Sequence, residues 1–560
     1  MQQIAHSIDE IVTRMYAIDS HANVERPDPQ FGDVTTNVAL QLAKSLARNP
    51  REIAEEIADA LRQERMFRDV AVAGPGFINL RLQDADLREW ARQSVPQVAV
   101  GTNMVVEYSC PNAFKELHTG HLYQTVFGDI LCRILEATGA GVTRTSFGGD
   151  VGLHVAKCLW GMVATLEGEY PEKLDDIEST PFARAQWISQ CYVRGAGAYE
   201  EDEQAKYAID TLNVQIYGFH EHNNDDSPLA RIYWTTRQWS YDYFEAFYSM
   251  IQVAHMRYYP ESSTAPVGMR VVREQLDKGN LRESEGAIVF EGDESKHLHT
   301  RVFVTSKGLP TYETKDIGVI WLEREDYHFD RRLIITGNDQ REYMRVVFAA
   351  AETFDPSLVG TMTHLTNGTV RFGDGTKMSS RLGNVSRAVD VIDVVREKVR
   401  ELVQDESLVD DVALGAVKYV FAKYKIGGDI AFDIDETVSL TGNSGPYIQY
   451  AHARACSILS KADLSEGAGI VPGDISYDDA ERNLVRKISE YTEVVERAAI
   501  ELSAHGICNY LYELAQEFNR FYEHSRVIGD ERQQVRLSVI TLYRDTLAKA
   551  PQSLVGGVVD

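Results

Sequence analysis

The run Glu107-Tyr108-Ser109-Cys110-Pro111-Asn112-Ala113-Phe114-Lys115-Glu116-Leu117-His118-Thr119-Gly120-His121 decides how the rest of the chain is read. Upstream, Met104-Val105-Val106-Glu107-Tyr108 is an apolar stretch of strand length. Downstream, Leu122, Val126, Ile130 and Ile134 recur at helical spacing until Gly139 and Gly141 stop the pattern. The two histidines therefore fall on a strand–loop–helix corner, where free backbone N–H groups and the helix dipole favour a bound anion. Gly120 lets a ligand approach the backbone closely, and two imidazoles can donate to phosphate oxygens. A second motif, Lys377-Met378-Ser379-Ser380-Arg381, follows Asp374-Gly375 and precedes Gly383. It adds two cations on a loop. Together the motifs describe cationic jaws around a triphosphate.

Working outward, strands and helices alternate from about 96 to 395, which predicts a Rossmann-type, doubly wound parallel sheet with ligands at the carboxyl ends of its strands. The strand Leu333-Ile334-Ile335 ends in the polar loop Thr336-Gly337-Asn338-Asp339-Gln340, where a substrate contact is expected. Between the halves, roughly 165 to 265, lies a stretch rich in aromatics (Trp234, Trp239, Tyr241, Tyr243, Phe244) that reads as a helical packing insert. Residues 1 to about 95 read as a small α/β domain. Val38, Leu42, Leu46 and Ile53, Ile57, Leu61 mark two helices, and Val70-Ala71-Val72 and Phe77-Ile78-Asn79-Leu80 two strands joined by Gly-Pro-Gly. After about 396 only helical periodicity remains, with helices beginning near Ser444, Asp479, Gly506 and Glu531 and breaks at Ser465-Glu466-Gly467 and Gly529-Asp530. The expected architecture is a multidomain α/β chain ending, over 396–560, in an all-α bundle.

At 560 residues, 44% hydrophobic and 25% charged, the chain holds material for about three soluble cores. No stretch approaches the roughly 18 apolar residues of a membrane span. The start, Met1 to Arg14, carries Asp9 and Glu10 in place of an apolar signal core. Six cysteines stand apart, without CxxC or a Cys/His cluster, as expected in a reducing cytoplasm and without a structural zinc. The net charge of −27 opposes a nucleic-acid partner at long range. Charge acts locally beyond a Debye length of about 8 Å, however, and runs such as Glu200-Glu201-Asp202-Glu203 can face away from an RNA.

The segment Glu107 to His121 resembles the signature of the arginyl-tRNA synthetases, a family of class I aminoacyl-tRNA synthetases. Three further stretches are similar and in the family's order: Gly32-Asp33 through Asn37-Val38-Ala39 with Asn49-Pro50-Arg51-Glu52-Ile53-Ala54, Ala73-Gly74-Pro75-Gly76-Phe77-Ile78-Asn79, and Gly442-Asn443 through Pro446-Tyr447-Ile448-Gln449-Tyr450-Ala451-His452-Ala453-Arg454. The resemblance implies an N-terminal domain that binds the tRNA elbow, a catalytic domain, and an anticodon-binding bundle. It implies arginine, ATP and tRNA(Arg) as substrates, magnesium accompanying ATP, no dedicated metal cage, no membrane, and a cytoplasmic monomer. A cysteinyl-tRNA synthetase would need zinc-ligating cysteines near the loop, and Cys110 lacks partners at metal spacing. A small nucleotidyltransferase would lack the two flanking domains.

By the same resemblance His118, Gly120 and His121 hold ATP, with Lys377, Met378, Ser379 and Arg381 on the second loop. Class I loops usually carry a second lysine where Ser380 stands, and Lys115 is the expected replacement cation. A guanidinium pairs best with a planar carboxylate, and Glu107 and Asp316 match the family's acidic cup. Each has a plainer reading, as a strand-end acid paired to a structural base and as a helix N-terminal acid. Tyr312 packs on the arginine side chain, while Asn112 and Gln340 hold its α-amino and carboxylate end. For the RNA, Phe77 offers a stacking face and Asn79 an amide, though Phe77 reads equally as core. Tyr447, Gln449, Tyr450, His452 and Arg454 are candidates on the bundle. The chain's end, Pro551 to Asp560, departs from the hydrophobic, methionine-closed terminus of many members.

Overall fold

The computed structural model describes residues 1–221, 226–254, 256–372, 387–462 and 476–549. Near the N-terminus, α1 (Gln2–Tyr16), α2 (Val38–Leu46) and α3 (Pro50–Leu61) cover an antiparallel sheet of β1 (Val24–Glu25), β2 (Val34–Thr36), β3 (Phe67–Ala73) and β4 (Phe77–Leu82), in the order β1-β2-β4-β3. Helix α3 starts where Asn49 accepts the Arg51 N–H at 2.9 Å and Pro50 fills the first position. The β3–β4 hairpin turns through Gly74 and Gly76, both at positive φ. A Cβ on Gly76 would stand 3.0 Å from the Pro50 carbonyl oxygen, so the turn is pressed against α3.

Helix α4 (Asp84–Arg92) leads into a five-stranded, wholly parallel sheet: β5 (Asn103–Glu107), α5 (Thr119–Ala137), β6 (Gly141–Gly148), α6 (Leu153–Thr165), helices α7 (Pro181–Glu201), α8 (Glu203–Glu221) and α9 (Pro228–Met250), then β7 (Arg257–Pro260). The chain continues through α10 (Glu261–Asp277), a small antiparallel sheet of β8 (Arg282–Ser284), β9 (Ala287–Phe290) and β10 (Arg301–Val304), α11 (Tyr312–Tyr327), β11 (Arg331–Gly337), α12 (Arg341–Phe354) and β12 (Met362–Asn367). The sheet order is β12-β11-β5-β6-β7. The chain therefore runs outward from β5 on one side and returns on the other. This reversal between β5 and β11 opens a crevice at their carboxyl ends, where doubly wound sheets bind ligands.

Two expectations need correction. The aromatic insert ends earlier than 265, because β7 is an edge strand of the central sheet and α10 begins at Glu261. Tyr258 and Tyr259 continued the aromatic composition of the helices and hid the change of element. Helices also do not stand alone after 396, because β14 (Ile430–Phe432) pairs in parallel with β13 (Val370–Phe372). Three residues are too few to show a period. Beyond it the bundle is helical, over Gly445–Lys461, Asp479–Ile488, Tyr491–Glu501, His505–His524 and Gln533–Lys549.

The bundle and the N-terminal domain are joined by charge. Arg482, 7% exposed, donates to both Asp33 and Asp84 and, at 3.0 Å, to the Leu82 carbonyl. The Tyr477 N–H reaches Asp84 at 3.0 Å, and Arg26 meets Glu493 at 2.8 Å and Ser489 at 3.0 Å. Removing one partner of such a buried set strands the others without water, which typically costs about 3–5 kcal/mol. The two domains expected to hold RNA therefore form a braced pair.

Candidate active site

His118 is the N-cap of α5. Its Nδ1 accepts from the Gly120 N–H at 3.0 Å and the His121 N–H at 3.4 Å, while His121 Nδ1 accepts from the His118 N–H at 3.2 Å. Histidine here does the work of a capping box. A ring nitrogen that accepts carries no proton, so both rings carry theirs on Nε2, as donors. The rings lie 3.8 Å apart. Desolvation, then the charge on Lys115, lowers the His118 pKa; desolvation, His118 and Lys115 lower that of His121. Two neutral donors thus stand at a helix N-terminus beside a lysine.

The loop that carries them is strained. Ser109, Cys110 and Phe114 all adopt positive φ, at a cost of roughly 1–3 kcal/mol each, which persists only where the surroundings hold it. Helix α9 does much of the holding: Ser240 accepts the Phe114 N–H at 3.0 Å, the Tyr243 hydroxyl accepts the Leu117 N–H at 3.2 Å, and the Tyr248 and Ser109 hydroxyls bond at 2.8 Å. The aromatic insert is packing, as expected from sequence, but packing that shapes the site. Asn112 Oδ1 accepts the Gly149 N–H at 2.8 Å, and the Lys115 ammonium sits 4.6 Å from the centre of the Tyr192 ring.

Glu107 ends β5 fully buried, and Arg332 donates to it. The plainer reading of Glu107, an acid paired to a structural base, is thus realised for one of its oxygens; the other is approached by Cys110 Sγ at 3.7 Å. Asp316, on α11, is buried and accepts the Tyr343 hydroxyl. Burial pushes Glu107 up to about 8 against the pull of Arg332, and Asp316 up to about 7 against the hydrogen bond from Tyr343. Tyr312 begins α11 with 65% exposure, its ring 5.2 Å from the Lys315 ammonium, which is buried against Glu261 at 2.5 Å. Gln340 follows β11, exposed, with its amide on Asp339 at 3.1 Å.

Lys377, Met378, Ser379 and Arg381 lie outside the described residues. The chain beyond them is seated on the first motif: Arg387 bridges to His118, the Ala388 N–H reaches the Leu117 carbonyl at 2.8 Å, and Arg387 lies 3.5 Å from Glu116. The described chain thus resumes, at Arg387, directly against the first motif.

Arg332, His154 and His364 carry no signal in the sequence. Arg332 stands beside Arg331 at the start of a strand. His154, whose Nε2 is buried without a hydrogen-bond partner among the described residues, and His364, bonded to Thr336 at 2.8 Å, are both held down to about 4 by burial. Neither stands in a motif.

On the RNA-facing candidates, Phe77 is 39% exposed and shares its strand face with Asn79, while Ile78 and Leu80 point into the core. Phe77 is therefore not core. Asn79 accepts the Thr35 hydroxyl at 2.8 Å. Gln449 is buried with its amide on the Asp411 carbonyl at 3.2 Å, and His452 is buried too, which removes both from the RNA-facing surface. Helical spacing turns them inward. Tyr447 takes a bond from Asn519 at 2.8 Å, and Arg454 lies between the exposed rings of Tyr450 and Tyr522 at 4.8 and 5.2 Å.

A parallel sheet whose first strand feeds a histidine-capped helix at the switch point is the arrangement of the class I aminoacyl-tRNA synthetases. Residues 89–432 match the catalytic domain of "tRNA synthetases class I (R)", residues 2–82 the arginyl tRNA synthetase N terminal domain, and residues 448–556 the DALR anticodon binding domain. An arginine–tRNA ligase of Escherichia coli O157:H7 is 30% identical over 536 residues, spanning 92% of this chain and 90% of that one. The solved arginyl-tRNA synthetase of Thermus thermophilus has the same fold, with TM-score 0.79 and 22% identity over 100% of this chain and 99% of that one. That of Plasmodium falciparum gives 0.78 and 19% over 100% and 98%. The chain belongs to the arginyl-tRNA synthetase family.

Proposed function

We propose that the protein is an arginine–tRNA ligase that activates L-arginine with ATP and transfers it to the terminal adenosine of tRNA(Arg). The observation that carries this reading is a pair of buried carboxylates, Glu107 and Asp316, at the crevice entered by a histidine-capped helix. A guanidinium is the group such a cup suits, because it stays charged and pairs with carboxylates in a plane. In the first step an arginine carboxylate oxygen attacks the α-phosphorus of ATP, and pyrophosphate leaves. His118 and His121 donate from Nε2 to phosphate oxygens, Gly120 admits the nucleotide, and Lys115 faces the charge that develops. Lys377, Met378, Ser379 and Arg381 supply the other jaw. Asn112 and Gln340 hold the α-amino and carboxylate end, and Tyr312 covers the side chain. In the second step a ribose hydroxyl, the 2′-hydroxyl in this reading, attacks the acyl carbon and AMP leaves. Phe77, Asn79, Tyr447 and Arg454 contact the tRNA.

Magnesium enters with ATP, held by phosphate oxygens and water. The reading includes a cytoplasmic monomer. Among the described residues no helix is long and apolar enough to cross a membrane, and none of the six cysteines forms a disulfide. The test is tRNA(Arg) charging with each of the twenty amino acids. Arginine alone should be attached, with one AMP and one pyrophosphate formed per charge; charging with another amino acid in preference would overturn the assignment.

Lys115 gives a sharper check. Lys115→Ala should lower tRNA-dependent ATP–pyrophosphate exchange by about 100- to 1,000-fold, the usual effect of losing one placed donor. It should leave thermal unfolding little changed, since the ammonium rests on a single ring. Exchange near the parent rate would pass its role to the second loop.

A further inference from the structure

Arg332 is the second residue of β11 and 1% exposed, so its charge is out of water. Its guanidinium joins two elements: Nε donates to Glu323 on α11 at 2.6 Å and Nη2 donates to Glu107 on β5, while Nη1 has no hydrogen-bond partner among the described residues. Glu323, fully buried, takes the Thr145 hydroxyl of β6 at 2.6 Å on its other oxygen. Asp316, two turns earlier on the same face of α11, also feels this cation. One guanidinium thus stands among three buried carboxylates. A buried set with more anions than cations is costly, and a further guanidinium lowers that cost.

We propose that Arg332 is a positioning residue for the amino-acid substrate, a built-in counter-ion that fixes Glu107 and leaves the cup short of one guanidinium. The inference rests on Glu107 and Asp316 being the carboxylates that read arginine. It goes further in making their geometry and charge depend on a residue that touches no substrate. The groups that set the charge on Glu107 are Arg332 from β11, Glu323 and Asp316 from α11, and Cys110 from its own loop. Those facing Asp316 are Tyr343 from α12, Arg332, Glu261 from α10 and Glu313 from its own helix. Arg332 is the one cation common to both.

The test is arginine and ATP Michaelis constants from pH 6 to 9 for Arg332→Met, Arg332→Lys and the double variant Arg332→Met/Glu323→Gln. The double variant removes Glu323, one of the two anions that Arg332→Met strands, so it lightens the cost to the fold while leaving Glu107 to be measured. Without the cation the ionised form of Glu107 is disfavoured. The arginine KM at pH 7 should then rise by about tenfold for each unit that the carboxyl moves up, with its pH midpoint displaced upward and the ATP KM within about twofold. Arg332→Lys should restore part of the affinity, since a point charge cannot bridge two carboxylates as a planar fork does. An unchanged midpoint in the folded double variant, or equal rises in both constants, would overturn the proposal. Glu107→Gln separates the two ideas. If it spares the arginine KM, the reading of the cup fails; if it raises that KM while the Arg332 variants do not, only the role of Arg332 fails.

Discussion

His118→Asn should keep the helix and lose the chemistry. In the structure His118 Nδ1 accepts two backbone N–H groups at the start of α5. Asparagine, among the best N-cap residues, supplies an acceptor at about that place. It has nothing at the position of Nε2, from which the histidine donates. Thermal unfolding should therefore shift by no more than roughly 0.5 kcal/mol, while ATP–pyrophosphate exchange falls by about 100- to 1,000-fold. His118→Ala removes both functions and should add a loss of about 0.5–2 kcal/mol in stability. If His118→Asn exchanges pyrophosphate nearly as well as the parent, the ring is a cap and no more, and His121 with Lys115 must carry the phosphate contacts.

That separation of cap from donor could not be read from the sequence, and the reason is general to this chain. Periodic features survive without their partners: the apolar run before Glu107, the helical repeat from Leu122 to Ile134 and the Gly74-Pro75-Gly76 hairpin are local, and the structure places all three where their spacing does. What is set by partners across the fold was hidden. Arg332 meets Glu107 across 225 positions and Arg482 meets Asp33 across 449. Their neighbours in sequence, a second arginine and an Asp-Asp-Ala-Glu helix start, look like solvated surface. Gln449 erred the other way. Its place in a family-like run suggested RNA, while its side chain turns onto the Asp411 carbonyl. The aromatics of α9 were legible as packing, yet not as the scaffold of a strained loop, because that depends on single hydroxyl contacts from Ser240, Tyr243 and Tyr248.

Asp316→Asn should abolish selective binding of arginine and spare that of ATP. The amide removes an anion and turns part of an acceptor into a donor facing the guanidinium. A buried charge left without its partner costs about 3–5 kcal/mol, so the arginine KM should rise by about 100-fold or more. The ATP KM should stay within about twofold, because the histidines and Lys115, proposed to meet the phosphates, lie on other elements. The pH dependence gives a second, independent reading. Burial holds Asp316 at about 7 and Glu107 at about 8, so below those values the empty cup carries protons that an incoming guanidinium must displace. The parent's arginine KM should accordingly fall as pH rises from 6 to 8.5. In Asp316→Asn that carboxyl no longer titrates, and only the dependence from Glu107 should remain, displaced to lower pH because the Asp316 anion no longer raises it. Survival of the pH dependence unchanged would show that the proton released on arginine binding does not come from Asp316, and loss of the whole dependence would show that none comes from Glu107. A parallel rise in both Michaelis constants would make Asp316 a support of α11 against Tyr343 and not a reader of the side chain.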